Sequence, residues 1–247
     1  MKKIFLFVAF AAISMLSVAQ VSVGLQAGAN FGMGKLKIND AYFYSSVHSQ
    51  KNKMKVGFMA GIVAKIPITS QLAFRPEINF VQEGTKYSNA DIDITTPIDE
   101  NDKITLNYIQ VPLNVIYHMP VGMGSVFFGL GPVVAIGISG KDKYTSVSDP
   151  QYNKNYTVKF DGKSIDDLNN GAGDGNDHLK RFDVGLDVMA GYKLPMGIFA
   201  KIGYGHGLMD ISANKKAKND YNRSSYKNSS FNISVGYMFG GGSAKKK

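Results

Sequence analysis

The sequence predicts an all-β fold, an eight-stranded antiparallel up-and-down transmembrane β-barrel with short periplasmic turns and long extracellular loops. Three observations predict it. Eight segments alternate apolar and polar residues with a period of two. The glycines inside those segments fall on the polar side of the alternation. The connections between segments run long, short, long, short along the chain.

The first segment, Val21–Met33, sets Val21, Val23, Leu25, Ala27, Ala29, Phe31 and Met33 against Ser22, Gly24, Gln26, Gly28, Asn30 and Gly32. Lys55–Ile66 repeats the pattern with Val56, Phe58, Ala60, Ile62 and Ala64 on one face. Gln71–Glu83 sets Leu72, Phe74, Ile78 and Phe80 against Arg75, Glu77 and Asn79. Ile104–His118 sets Ile109, Val111, Leu113, Val115 and Tyr117 against Gln110, Pro112 and Asn114. Ser125–Ile138 carries Phe128, Leu130, Val134, Ile136 and Ile138 on its apolar face. Arg181–Leu194 sets Phe182, Val184, Leu186 and Val188 against Asp183, Gly185 and Asp187. Ile198–Ile211 is less regular, with Ile198, Ala200, Ile202 and Tyr204 against Lys201 and three glycines, and Ser230–Phe239 closes the set.

The polar-face glycines favour a barrel over a sandwich. A sandwich turns its polar face to water and gains nothing from filling it with glycine. The concave interior of a narrow barrel is crowded, so small residues must separate the few large polar ones, while the apolar face looks out at lipid. The expected short turns are Pro67–Ser70, Met119–Gly124 and Pro195–Gly197, and the expected long loops are Gly34–Met54, Gly84–Lys103, Ser139–Lys180 and Ser212–Ser229.

The ends are read apart from the barrel. Lys2 and Lys3 precede the apolar run Ile4–Leu16, and Ser17-Val18-Ala19 supplies small residues for cleavage. Residues 1–19 are thus expected to be a secretory signal peptide, too short for a span of about 20 residues. Residues 20–239 form the barrel and 240–247 a basic tail. The formal charge of +9 falls to +7 without Lys2 and Lys3, and to +4 without Lys245, Lys246 and Lys247. The basic balance therefore says little about nucleic acid, which an exported protein is not expected to bind. The absence of Cys excludes disulfide scaffolds, thiolate metal sites and a lipid-modified N-terminal Cys.

Three stretches, Leu72–Phe80 (LAFRPEINF), Tyr108–Leu113 (YIQVPL) and Phe127–Pro132 (FFGLGP), resemble recurring motifs of the PorT-like outer-membrane β-barrel family of the Bacteroidota. The resemblance runs from about Val21 to Phe239. It implies the barrel and the outer membrane, and a possible accessory role in protein secretion, with no activity attached to particular residues. Apart from the resemblance, Pro76, Pro112 and Pro132 remove ladder donors and are expected at bulges or rims.

Side-chain chemistry is sparse. No two of His48, His118, His178 and His206 have metal-ligand spacing, and no cofactor is expected. His206, with Ser212 close in sequence, reads as an interfacial aromatic and not as half of a Ser-His pair. The Asp- and Gly-rich run Asp166–Asp177 reads as a polar loop, with a hard cation as the alternative. Basic residues gather in the first loop (Lys35, Lys37, Lys51, Lys53) and the fourth (Lys215, Lys216, Lys218, Arg223), which barrel closure makes neighbours. Such a patch suits outer-membrane lipid and phosphorylated lipopolysaccharide.

Inward positions carry Lys55, Arg75, Glu77, Glu83, Asp183, Asp187 and Lys201. In a lumen that side chains can fill, opposite charges at similar depth are expected to form an ion network. A tight turn at Pro67–Ser70 predicts Lys55 opposite Glu83, Val63 opposite Arg75 and Gly61 opposite Glu77. Phe239 ends the last strand on the outward face and is the expected signal for the barrel-assembly machinery. The function expected is structural or surface-interacting and not enzymatic, with the lumen plugged by polar side chains. Small-solute transport and lipid modification are the alternatives from other classes. The protein partner is unknown.

Overall fold

The computed structural model describes residues 21–38, 50–89, 100–146, 150–163, 176–213 and 224–239. The expected signal peptide and basic tail lie outside the described residues. Among the described residues there are twelve strands: β1 (Ser22–Gly32), β2 (Lys35–Ile38), β3 (Gln50–Pro67), β4 (Leu72–Asn89), β5 (Glu100–Val121), β6 (Gly124–Ser146), β7 (Lys154–Lys159), β8 (Asp177–His178), β9 (Phe182–Lys193), β10 (Ile198–Gly207), β11 (Ser224–Lys227) and β12 (Ser229–Phe239).

Eight of them close a ring in the order β1, β3, β4, β5, β6, β9, β10, β12 and back to β1. Every neighbour in the ring is antiparallel. Closure gives each of the eight a hydrogen-bonded neighbour on both sides, as a bilayer that offers no water to open strand edges requires. The alternation is turned inside out relative to a water-soluble protein. Leu25, Leu130 and Val235 are 54%, 67% and 61% exposed, whereas Gln26, Asn30, Glu77 and Asn114 are all 4% exposed or less. Glycine makes the interior possible at defined points. A Cβ on Gly191 would enter the Phe127 ring, and one on Gly236 would enter the Phe199 ring.

At the short-turn end, Gly122 (φ 60°) and Gly197 (φ 102°) take up backbone that favours glycine. The β3–β4 turn differs from expectation. Pro67 stays in β3, and Thr69 Oγ accepts the backbone N–H groups of Gln71 (3.2 Å) and Leu72 (2.9 Å). The register is therefore offset: Val63 faces Glu77 and Gly61 faces Asn79, not Arg75 and Glu77. Lys55 does not face Glu83 either: the pairing stays offset along the whole of β3, before and after the register shift between Met54 and Met59.

Two further expectations are corrected. Pro76, Pro112 and Pro132 mark no register shift; they sit within the wall, paired with Leu113, Val133 and Leu186. Pairing pauses beside Pro76 and resumes at Asn79 in the same register, so the missing donors cost local bonds without an extra residue. The second and third loops are also not long open connections from Gly84 and Ser139. β4 and β5 run on to Asn89 and from Glu100, β6 continues to Ser146, and β7 then pairs with its upper part. β2 and β11 make a separate two-stranded sheet at the same long-loop end.

Candidate functional site

The lumen is built in three storeys. Its floor, at the short-turn end, is apolar: Val63, Ala73, Ile116, Phe127, Met189, Phe199 and Met238 form one buried cluster. Phe127 and Phe199 pack edge to face with centroids 6.5 Å apart. They project inward because they lie on the polar parity of β6 and β10, next to the outward Phe128 and Ile198.

Directly on this floor stands the Arg75 side chain. Its guanidinium carbon lies 4.9 Å from the Phe127 ring centroid and 4.7 Å from that of Phe199. The rings present their negative faces to the cation. Arg75 Nε donates to Glu77 Oε1 at 3.0 Å, and Lys201 Nζ donates to both Glu77 oxygens at 2.8 and 2.7 Å. Gln26 Nε2 (2.6 Å) and Asn79 Nδ2 (3.0 Å) donate to Oε2. Glu77 is 1% exposed, Arg75 4% and Lys201 5%. An isolated charge there would cost several kcal/mol of desolvation; this carboxylate is instead held by two cations and two amides. The elements explain the meeting. Arg75 and Glu77 are alternate inward residues of β4, and Lys201 comes across the lumen from β10.

Above this knot the chemistry changes. Asp187 accepts from Asn114 Nδ2 at 2.7 Å. Glu83 accepts from Gln110 Nε2 (2.8 Å) and Ser230 Oγ (3.1 Å), and Asp183 accepts from Asn228 Nδ2 (3.2 Å). These three carboxylates line a cavity of about 40 Å³. One water needs ~10–15 Å³, so the cavity is of hydration size and far below a ligand pocket. Among the described residues, no group of three metal-ligating side chains comes together.

A second apolar cluster roofs the lumen. Leu106, Tyr108 and Ala135 from the wall meet Val158 and Phe160 from the β6–β9 connection and Ile211 and Tyr226 from the β10–β12 connection. Tyr108 packs edge-on to Phe160 at 5.5 Å, and its hydroxyl accepts from Asn228 at 3.2 Å.

Of the sequence-predicted lumen residues, Arg75, Glu77 and Lys201 meet directly, while Glu83, Asp183 and Asp187 surround the upper cavity. Lys55 is buried but donates to Gln82 Oε1 at 3.2 Å, not to Glu83. Of the basic loop residues, Lys35 and Lys53 are exposed, and the Lys35 and Lys37 backbones pair with Lys227 and Ser225. The backbone of Lys51 pairs with Ser88, and Lys215, Lys216, Lys218 and Arg223 lie outside the described residues. Most of Asp166–Asp177 also lies outside them. His206 contacts Ser229 Oγ at 3.0 Å, whereas Ser212 is buried and bridges to Leu179. Phe239 ends β12 on the outward face, 52% exposed, with its ring 5.0 Å from Tyr237.

Sequence reasoning missed Gln26, Asn79 and Asn114 as partners of the charges, although all three are inward by parity. It also missed the floor. Its signal was the doubled apolar pairs Phe127-Phe128 and Ile198-Phe199, where an apolar residue occupies a polar-face position.

A closed antiparallel ring with an apolar exterior and a polar, filled interior defines an outer-membrane β-barrel. The profile of the family described as outer membrane protein beta-barrel domain matches residues 17–213, and the chain belongs to that family and to the outer membrane. No curated protein matches it in sequence. Among solved structures it is similar to Ail, the attachment invasion locus protein of Yersinia pestis, at 12% identity and a TM-score of 0.38, covering 88% of this chain and 98% of that one. Neisserial surface protein A is similar at 14% identity and a TM-score of 0.39, with 89% and 99% covered. OprG from Pseudomonas aeruginosa is similar at 10% identity and a TM-score of 0.44, with 89% and 96% covered.

Proposed function

We propose that the protein is a sealed barrel that acts through its surface, in a structural or surface-interacting role, and not as a passage for solutes. One observation carries this reading: Arg75, bonded to the Glu77 carboxylate that Lys201 also holds, stands directly on the Phe127–Phe199 floor. An ion crossing the lumen would have to break a desolvated ion pair and then pass an apolar cluster. Purified protein in planar bilayers is expected to give no steady conductance. Stable, porin-like steps from the unaltered chain would defeat the reading and favour transport.

The reading includes a route into the membrane. Phe239 closes β12 beside β1, facing Val23, and is proposed as the residue the barrel-assembly machinery recognises. Phe239→Ser is expected to lower the outer-membrane level of the protein in fractionated cells. Unchanged insertion would remove that role.

A further inference from the structure

The upper wall carries a feature that the lumen does not explain. Lys53 faces Lys86, Lys86 faces Lys103 and Lys103 faces Lys143, across the four neighbouring strands β3, β4, β5 and β6. All four side chains are exposed. Direct cross-strand partners share a face, so four ammonium groups stand in one row. Like charges directly opposite each other destabilise a sheet. Lys141, one outward position lower on β6 and opposite Thr105, adds a fifth. Among the described residues none of the five makes an ion pair.

The row lies on the lipid-facing side. On β5, Leu106 is buried in the roof cluster and Ile104 packs against it, so the alternate residues Asn107, Thr105 and Lys103 look outward, above Ile109. On β4 the outward order is Ile78, Phe80, Gln82, Gly84 and Lys86. Between the apolar belt and the lysines, Gln82 Nε2 donates to Asn107 Oδ1 (3.3 Å), and Asn107 Nδ2 donates to Ser139 Oγ (3.0 Å). This polar rung marks the end of the hydrocarbon-facing surface. At ~3.3 Å per residue and a tilt of about 40°, Lys103 stands about 15 Å above Ile109. Lysine stems reach several Å from there toward the membrane.

We infer that this lysine row binds the phosphate groups of phosphorylated glycolipid in the outer leaflet. The inference rests on the proposed surface-acting role but uses a different part of the molecule from the sealed lumen. Two observations choose the occupant. The row is continuous with the apolar belt, so a lipid whose acyl chains lie on Phe80, Ile109 and Ile136 carries its headgroup up to it. The row is uniformly cationic, and a multivalent phosphate would relieve the repulsion between its members.

The test uses full-length protein in phosphatidylcholine nanodiscs doped with lipid A, with dephosphorylated lipid A as the matched control. Retained lipid is read by native mass spectrometry. Retention is expected to be selective for the phosphorylated lipid and to weaken at high salt. The Lys86→Gln, Lys103→Gln, Lys143→Gln triple variant is expected to lose at least about tenfold in affinity, the effect of one charge-assisted hydrogen bond or more. Folding is checked by heat-dependent gel mobility, and the single variant Lys103→Gln, with a smaller loss in the same direction, serves if the triple variant does not fold. Equal retention of both lipids, or by both proteins, would overturn the inference. So would displacement of the lipid by equimolar inorganic pyrophosphate, which would mark the row as a site for soluble anions. Planar-bilayer conductance of the same purified protein separates the two readings, because an open pore would sink the sealed-lumen reading and leave lipid selectivity untouched.

Discussion

The lower and upper halves of the lumen bury carboxylates by different means. Below, Glu77 is held by Arg75 and Lys201, and Arg75 stands on an aromatic floor. Above, Glu83, Asp183 and Asp187 accept from Gln110, Ser230, Asn228 and Asn114 and surround a cavity of hydration size. The lower half has exchanged water for fixed counter-charges, and the upper half for neutral donors. A counter-charge cannot be removed without stranding its partner, whereas a neutral donor set serves an uncharged acceptor nearly as well. The lower half should therefore be electrostatically brittle and the upper half tolerant.

The largest test of that contrast is Glu77→Ala. It leaves Arg75 and Lys201 buried without their anion, and should cost about 3–5 kcal/mol in urea unfolding of the barrel in lipid. A loss under 1 kcal/mol would mean the two cations find other partners, and the contrast would fail. Arg75→Ala should cost less, about 1.5–3 kcal/mol, because Glu77 keeps Lys201 and two amides while one charge-assisted bond and the ring contacts are lost. Heat-dependent gel mobility would register the ranking, and equal midpoints for Arg75→Ala and the unaltered chain would remove the cation from the account. Smallest is Glu83→Gln, expected within about 1 kcal/mol, since the amide oxygen still accepts from Gln110 and Ser230. A cost equal to that of Glu77→Ala would place an unrecognised cation in the upper cavity.

These differences bear on what the sequence could tell. The wall was legible because lipid and lumen impose opposite polarity on alternate residues, and a period of two survives every local irregularity. Arg75, Glu77 and Lys201 were legible for the same reason: charges of both signs on the inward parity of a narrow barrel have little choice of partner. Their exact neighbours were not. Thr69 caps the β3–β4 turn through its hydroxyl, keeps Pro67 in the strand and offsets the pairing, a side-chain effect invisible in alternation. Phe127 and Phe199 were hidden because counting them as apolar assigned them no place on the polar face. The tops of β4, β5 and β6 look like loop in the sequence because both of their faces meet water or a mixed roof, so residues such as Thr85, Lys86, Thr105 and Lys141 carry no hydrophobic period. Strand pairing there is fixed by continuation of ladders begun in the membrane.

That continuation makes the rim uneven. β3, β4, β5 and β6 run for 18, 18, 22 and 23 residues, whereas β1, β9, β10 and β12 run for 11, 12, 10 and 11. The molecule thus has one flank of long unbroken strands and one whose strands stop short, β1 and β12 handing over to β2 and β11, and in the plane of the membrane it possesses a front and a back. A load applied at the rim passes down unbroken ladders on the front, whereas on the back it must cross the joints at Met33-Gly34 and Asn228 between those short strands and the wall.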